Sequence, residues 1–286
     1  MGRTGLIVEG GGMKCAYHAS ILDKFLDDDI KFDYSIGVSA GAANLASYLA
    51  GQRERNLRYY TIHIKDPKYL SFSNLLKTGS IFGLQYIYGD MTNSGGTDPV
   101  DFPALMANPC EYQLVVTNAA TGKAEYLGKD SLAQDDYWAL MATCAIPVAC
   151  KPIKHQGAVY FDGGVADSIP VAHALEKGCD KLVILLTKPR DFVKEAEKHH
   201  FLYHVILRKY PELCRALDHR HINYGNSLEL IHRLENEGKA FVFYPSRHIK
   251  ISTYTKDPAV MQVFYDLGME DYHRQQEALK KFLARP

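Results

Sequence analysis

The stretch Asp33-Tyr34-Ser35-Ile36-Gly37-Val38-Ser39-Ala40-Gly41 decides how the chain is read. Its first six residues have the composition of a short strand, and the Ala- and Leu-rich run from Ala40 to Leu49 has that of a helix. Between them Gly37-Val38-Ser39-Ala40-Gly41 fits G-x-S-x-G, in which a serine stands on a sharp strand-to-helix turn with its hydroxyl presented at the sheet edge. Small neighbours allow the close approach that such a turn demands. The pattern by itself is a weak signal, and a serine that merely caps a helix is its plain alternative. Its position between a strand and a helix is what gives it weight.

Working outward, the apolar run Leu6-Ile7-Val8, closed by Gly10-Gly11-Gly12 and followed by a helix-like stretch to about Leu26, is another strand, loop and helix. Two consecutive units of this kind predict a parallel sheet with right-handed crossovers. Further strands are expected over 112–117, 124–127, 158–161 and 241–244, with helices over 132–144 and through about Glu176. The fully apolar Leu182-Val183-Ile184-Leu185-Leu186 has the look of a central strand buried on both faces. Residues 66–100 mix glycines with Leu70, Phe72, Leu76, Phe82, Tyr86 and Tyr88, and read as an insertion over the sheet edge serving as an acyl-chain groove, an interfacial lid or plain packing. From Glu195 onward the chain is mostly helical, ending in an amphipathic helix marked by Val260, Val263, Phe264 and Leu267.

Lys plus Arg equals Asp plus Glu at 33 each, so no net field favours nucleic acid, and nucleic-acid binding is not expected. No apolar run approaches the roughly 20 residues of a spanning helix, and the first residues lack the apolar core of a secretory signal. The six cysteines, Cys15, Cys110, Cys144, Cys150, Cys179 and Cys214, are scattered without C-x-x-C pairs and read as free thiols. A cytoplasmic protein, peripheral at membranes, is the resulting expectation.

Two further features carry chemistry. Amides of the Gly10-Gly11-Gly12-Met13 loop, placed between a strand and a helix, are suited to a developing oxyanion. A nucleotide loop is the rival reading, with Asp33 as the ribose-binding acid, but G-x-G-x-x-G would need a glycine where Cys15 stands. Asp162-Gly163-Gly164 follows directly on a strand, which puts a carboxylate at the carboxyl end of the sheet. Six histidines, His199, His200, His204, His219, His221 and His232, crowd the C-terminal third without the glutamate of H-E-x-x-H, and no metal is expected.

In this order the three motifs resemble those of the patatin-like phospholipases, G-G-G-x-[KR]-G, G-x-S-x-G and D-G-[GA]. The resemblance runs from Gly10 to about Pro170 and includes the stretch Thr143-Cys144-Ala145-Ile146-Pro147 through Pro152; its one departure is Cys15 in place of glycine. It implies an α/β protein with a three-layer α/β/α fold and a mostly parallel central sheet. It also implies a lipid acyl hydrolase that needs no cofactor, acting on a lipid or ester substrate at a membrane surface. Ser39 would be the nucleophile, Asp162 its base, and Gly10, Gly11, Gly12 and Met13 the oxyanion hole. Residues 1–190 would form the catalytic core and 191–286 a mostly helical region of the same domain or a small subdomain. A Ser-His-Asp esterase, with His173 or His248 as the third member, and a non-catalytic lipid-binding protein are the alternatives.

Overall fold

The computed structural model describes residues 2–197 and 200–285, so His199 lies outside the described residues. Strands β1 (Arg3–Val8), β2 (Tyr34–Val38), β3 (Glu111–Asn118), β4 (Ala124–Gly128), β5 (Ile153–His155), β6 (Ala158–Asp162), β7 (Cys179–Leu185) and β8 (Ala240–Phe243) form one sheet. Its path is β5-β6-β3-β2-β1-β7-β8, with β4 beside β3. The run β3-β2-β1-β7-β8 is parallel, while β4 and β6 are antiparallel to β3.

Alternation along the strands explains the layers, because successive side chains point to opposite faces. Leu6, Val8, Val183 and Leu185 pack with the helices α1 (Ala16–Asp27), α2 (Ala40–Leu49) and α10 (Pro258–Ala284). Ile7, Leu182, Ile184 and Val242 pack instead with α7 (Val171–Glu176) and α9 (Pro211–Asn236). The result is the three-layer α/β/α arrangement with a mostly parallel sheet. Strand β7 lies between β1 and β8, and its last four residues are buried, as an uninterrupted apolar run requires.

The remaining helices are α3 (Arg55–Thr61), α4 (Phe72–Thr78), α5 (Phe102–Ala107), α6 (Trp138–Thr143) and α8 (His200–Ile206). Residues 66–100 follow α3 and contain α4. They lie against α3 and α6 and add Tyr69, Phe82, Ile87 and Tyr88 to the core on that face. Asp98 anchors them there, accepting from Arg58 Nε and Nη2 at 2.8 Å each and facing His63 Nε2 at 2.9 Å. A π-type turn over Tyr86–Asp90, closed by Met91 N donating to Tyr86 O at 2.9 Å, hides the ordinary helical spacing of this segment. The helix expected over 132–144 is also shorter, spanning only Trp138–Thr143. Ahead of it Asp135 adopts φ 63° and its carboxylate accepts from the Ser94 amide and hydroxyl at 2.6 and 2.7 Å, so the chain turns where a helix would have continued.

The layout at β3 positions everything that follows. β3 pairs with β2 through Val115↔Val38 and with β4 over Gln113–Thr117, so β2 and β4 occupy opposite edges. β6 pairs with β3 from Val116↔Asp162 onward, overlapping β4, and must therefore lie on the same edge as β2. One edge of β3 thus carries two strands that run toward each other, β2 ending at Val38 and β6 ending at Asp162.

Candidate active site

Ser39 is the first residue after β2 and Asp162 the last of β6, so the meeting of those strand ends brings them together. Ser39 Oγ donates to Asp162 Oδ2 at 2.6 Å, and both residues are buried. The serine sits at φ 53°, ψ −133°, a conformation that costs a non-glycine residue about 1–3 kcal/mol. Two glycines make the turn possible. A Cβ on Gly37 would lie 2.5 Å from Ala42 Cα, and one on Gly41 would lie 2.5 Å from the carbonyl oxygens of Val8 and Glu9.

Thr143, the last residue of α6, fixes the turn from below. Its Oγ1 accepts from the Ser39 amide at 2.8 Å and donates to Val115 O at 2.6 Å, tying the serine to β3. The carboxylate is held as firmly. Asp162 Oδ1 accepts from the Gly164 amide at 2.8 Å, and Arg220 Nε on α9 donates to Gly164 O at 2.5 Å. Burial raises the Asp162 carboxyl above its ordinary 3.8, against the Ser39 hydroxyl, the Gly164 amide and the Arg220 charge, which favour the anion.

Two cavities meet at Ser39. A narrow one of about 50 Å³ runs among Ala43, Tyr60, Tyr69, Phe82, Tyr88 and Leu140, with Arg55, Tyr59 and Thr92 also in its wall. A wider polar cleft of about 500 Å³ contains Ser39, Asp162, Gly10, Gly11 and Gly12 and is bordered by Lys14, Lys188, Lys194 and Arg220. Burial and the neighbouring Lys188 push the Lys14 ammonium down to about 8. Met13 lines the narrow cavity rather than the cleft. Each of the four residues of the glycine loop therefore lines a cavity that Ser39 also lines.

Cys15 is in the ordinary right-handed region at φ −71°, so nothing in the backbone there calls for glycine; its buried thiol donates to Glu9 O at 3.6 Å. Asp33 is at the far end of the sheet from the glycine loop, where its carboxylate accepts from the Thr4 amide at 2.8 Å. A dinucleotide on that loop would need its acid at the opposite end of β2. Neither histidine considered for a triad enters either cavity. His173 Nε2 lies 2.8 Å from Gln113 Oε1 with its ring stacked on Tyr126, and His248 is exposed beside Asp191. Among the described residues no histidine lines the walls around Ser39. His200 and His204 are on one helix with ring centroids 6.5 Å apart, and His204 Nε2 faces Asp218 at 3.0 Å.

Reading the sequence missed Thr143 as a support, although it opens the stretch that resembles the family's. It also missed Lys188, Lys194 and Arg220, which carry no local motif and reach the cleft only through the fold. No helix among the described residues is long and apolar enough to cross a membrane.

A family profile described as patatin-like phospholipase matches residues 6–175, and one described as a domain of unknown function (DUF6363) matches residues 210–284. The chain is 26% identical over 293 residues to the uncharacterized protein YjjU of Escherichia coli (strain K12), covering 93% of this chain and 75% of that protein. Among solved structures it is similar to VipD from Legionella pneumophila at 13% identity and a TM-score of 0.45, with 96% of this chain and 67% of that one covered.

Proposed function

The chain belongs to the patatin-like phospholipase family, and from that premise we propose that it is a serine-dependent lipid acyl hydrolase of the phospholipase A or esterase type, working through a Ser39 and Asp162 dyad. The observation that carries this reading is the 2.6 Å contact from Ser39 Oγ to a buried carboxylate. Ser39 Oγ attacks the ester carbonyl as its proton passes to Asp162 Oδ2, and amides of the Gly10 to Met13 loop receive the oxyanion. Collapse of the tetrahedral intermediate expels the alcohol, which takes the proton from Asp162. Water then enters and attacks the acyl-serine as Asp162 accepts one of its protons, and collapse of that second tetrahedral intermediate breaks the bond to Ser39 Oγ, which takes the proton back from Asp162 as the fatty acid leaves. Desolvation suits the role, since a carboxylate near its free pKa of about 4 is a weak base for a hydroxyl.

The acyl chain begins in the narrow apolar cavity and the rest of the lipid occupies the polar cleft. Because that cavity is small, Leu140→Ala is expected to raise the ratio of long-chain to short-chain p-nitrophenyl ester turnover about tenfold, the effect of a few methylenes' worth of space. An unchanged ratio would remove the acyl assignment. We assign residues 191–286 to the same domain as the core at 1–190, since Arg220 and Tyr254 border the cleft that holds Ser39.

A fluorophosphonate probe tests the nucleophile and separates the enzyme from a non-catalytic lipid binder. The wild-type protein is expected to be labelled on Ser39. Ser39→Ala is expected to stay folded, to escape labelling and to lose p-nitrophenyl ester hydrolysis by about three orders of magnitude or more. Undiminished turnover in the folded variant, or a wild-type protein that resists the probe, would sink the assignment.

A further inference from the structure

Helix α8 turns its apolar side toward water. At about 100° per residue, Phe201, Leu202, Val205 and Ile206 fall within roughly 140° of arc. They are 77%, 55%, 49% and 51% exposed. Tyr203 and Leu207 on the other side are buried and hold the helix against α9 through Leu213, Cys214 and Leu217. Scattered exposed apolar residues are ordinary, but four large ones on one side of one short helix form a patch that a soluble protein keeps for a contact.

Place and charge say what covers it. Tyr203, on the buried side of α8, is part of the wall of the Ser39 cleft, so the helix that carries the patch borders the space a lipid would enter. Val148 and Tyr254, two other cleft residues, are 40% and 44% exposed. Next to Val148, Ala149 O accepts from the Ile81 amide at 2.7 Å, which ties in α4, whose Phe72 and Leu76 stand exposed one turn apart. Directly after α8, Arg208 and Lys209 are exposed and neither forms an ion pair with a described residue. Lys14 and Lys188 inside the cleft likewise have no carboxylate at ion-pair distance among the described residues, the oxygens of nearby Glu9 being engaged by Thr187 and Tyr224. Apolar side chains flanked by free cations match a surface of acyl chains beneath anionic headgroups.

We propose that α8 is the docking element that seats the protein on an anionic lipid leaflet, with its four apolar side chains in the acyl boundary, Arg208 and Lys209 at the headgroups, and the Ser39 cleft opening onto the lipid. This deepens the hydrolase reading and rests on it for its purpose, but binding is measured without turnover. In a Ser39→Ala background, which leaves the vesicles intact, the full chain is expected to sediment with mixed phosphatidylglycerol and phosphatidylcholine vesicles. It should bind pure phosphatidylcholine more weakly. Adding Phe201→Ser, Leu202→Ser and Ile206→Ser, which spares the buried anchors Tyr203 and Leu207, is expected to weaken vesicle binding about tenfold or more. Arg208→Gln with Lys209→Gln is expected to reduce the preference for anionic vesicles by roughly fivefold for each charge. With Ser39 intact, the triple serine variant should cleave a soluble short-chain ester at the wild-type rate.

Unchanged vesicle binding by the triple variant would overturn the proposal, as would a Ser39→Ala protein that stays in the supernatant at every lipid concentration. A wild-type dimer that the triple variant splits, with no lipid binding by either, would make the patch a contact between copies and overturn it too. Vesicle binding by a protein that hydrolyses no ester would sink the hydrolase reading alone.

Discussion

Asp162→Asn is expected to lower kcat for a p-nitrophenyl ester by about two to four orders of magnitude while leaving the protein at least as stable as the wild type at neutral pH. The two effects have one cause. Burial raises the Asp162 carboxyl above its ordinary 3.8, so the folded protein holds that proton more tightly than the unfolded chain does. Ionised Asp162 therefore costs stability at neutral pH, and the cost is relieved as pH falls through the folded value. Asparagine keeps the shape and a carbonyl oxygen for the Gly164 amide, removes the charge, and cannot take the Ser39 proton. The wild-type rate should fall on the acid side with an apparent pKa above 3.8, as the carboxylate is protonated. His173→Ala and His248→Ala should keep most of the activity. If either folded histidine variant were as inactive as Asp162→Asn, the dyad would give way to a triad in which Asp162 orients an imidazole. Urea titrations beside the kinetics test the stability half, and a clear loss of stability in Asp162→Asn would contradict it.

Asp98→Ala is expected to cost about 3–5 kcal/mol of stability, the usual result of removing one partner from a buried charge pair. Asp98 and Arg55 side chains are each 6% exposed, and Asp98 also accepts from Arg58 Nε and Nη2 and faces His63. Without the carboxylate, Arg55 keeps hydrogen bonds to Ser47, Tyr59 and Thr92 but loses its countercharge. Burial would raise the Asp98 carboxyl, yet Arg58, His63 and Arg55 outweigh it and hold the group well below the usual carboxylate range. Its contribution is thus complete above the unfolded value of 3.8 and is lost as pH falls through the lower folded value. The gap in unfolding free energy between wild type and variant should be widest near neutral pH and close in strong acid. A gap that did not change with pH would remove the ion cluster as its source. Since Arg55, Tyr59 and Thr92 border the narrow cavity, ester turnover should decline along with stability.

What the sequence discloses about the site is what is local. The glycines around Ser39, the Gly10 loop and the Asp162 turn each carry their geometry within a few residues, so their types and spacing are readable without the fold. Their convergence on one cleft depends on the pairing of β3, which no short window contains. Thr143, Lys188 and Arg220 escape for the same reason: a threonine ending a helix, a lysine after a strand and an arginine in mid-helix look ordinary until topology gives them neighbours. Misread elements have local causes as well. The acids at 135–136 sit in a pattern that looks helical, yet Asp135 is drawn into a left-handed turn by Ser94, a residue some forty positions away. β5 is only three residues long, with Ile153 its one apolar side chain, too short for period-two alternation to show. The segment 66–100 mixes a π-type turn with glycines, so neither a 3.6-residue nor a two-residue period stands out.

The shared edge of β3 also sets an order of events during synthesis. A growing chain presents the Ser39 turn and the glycine loop early, but the carboxylate that faces Ser39 lies 123 residues further on, and β6 can join the edge only after β3 is in place. Under the proposed mechanism the nascent protein is therefore inert toward ester bonds until β6 has left the ribosome. The delay would follow from the topology alone, because the two proposed reacting groups stand at the ends of strands that meet only once six of the eight strands of the sheet have been made.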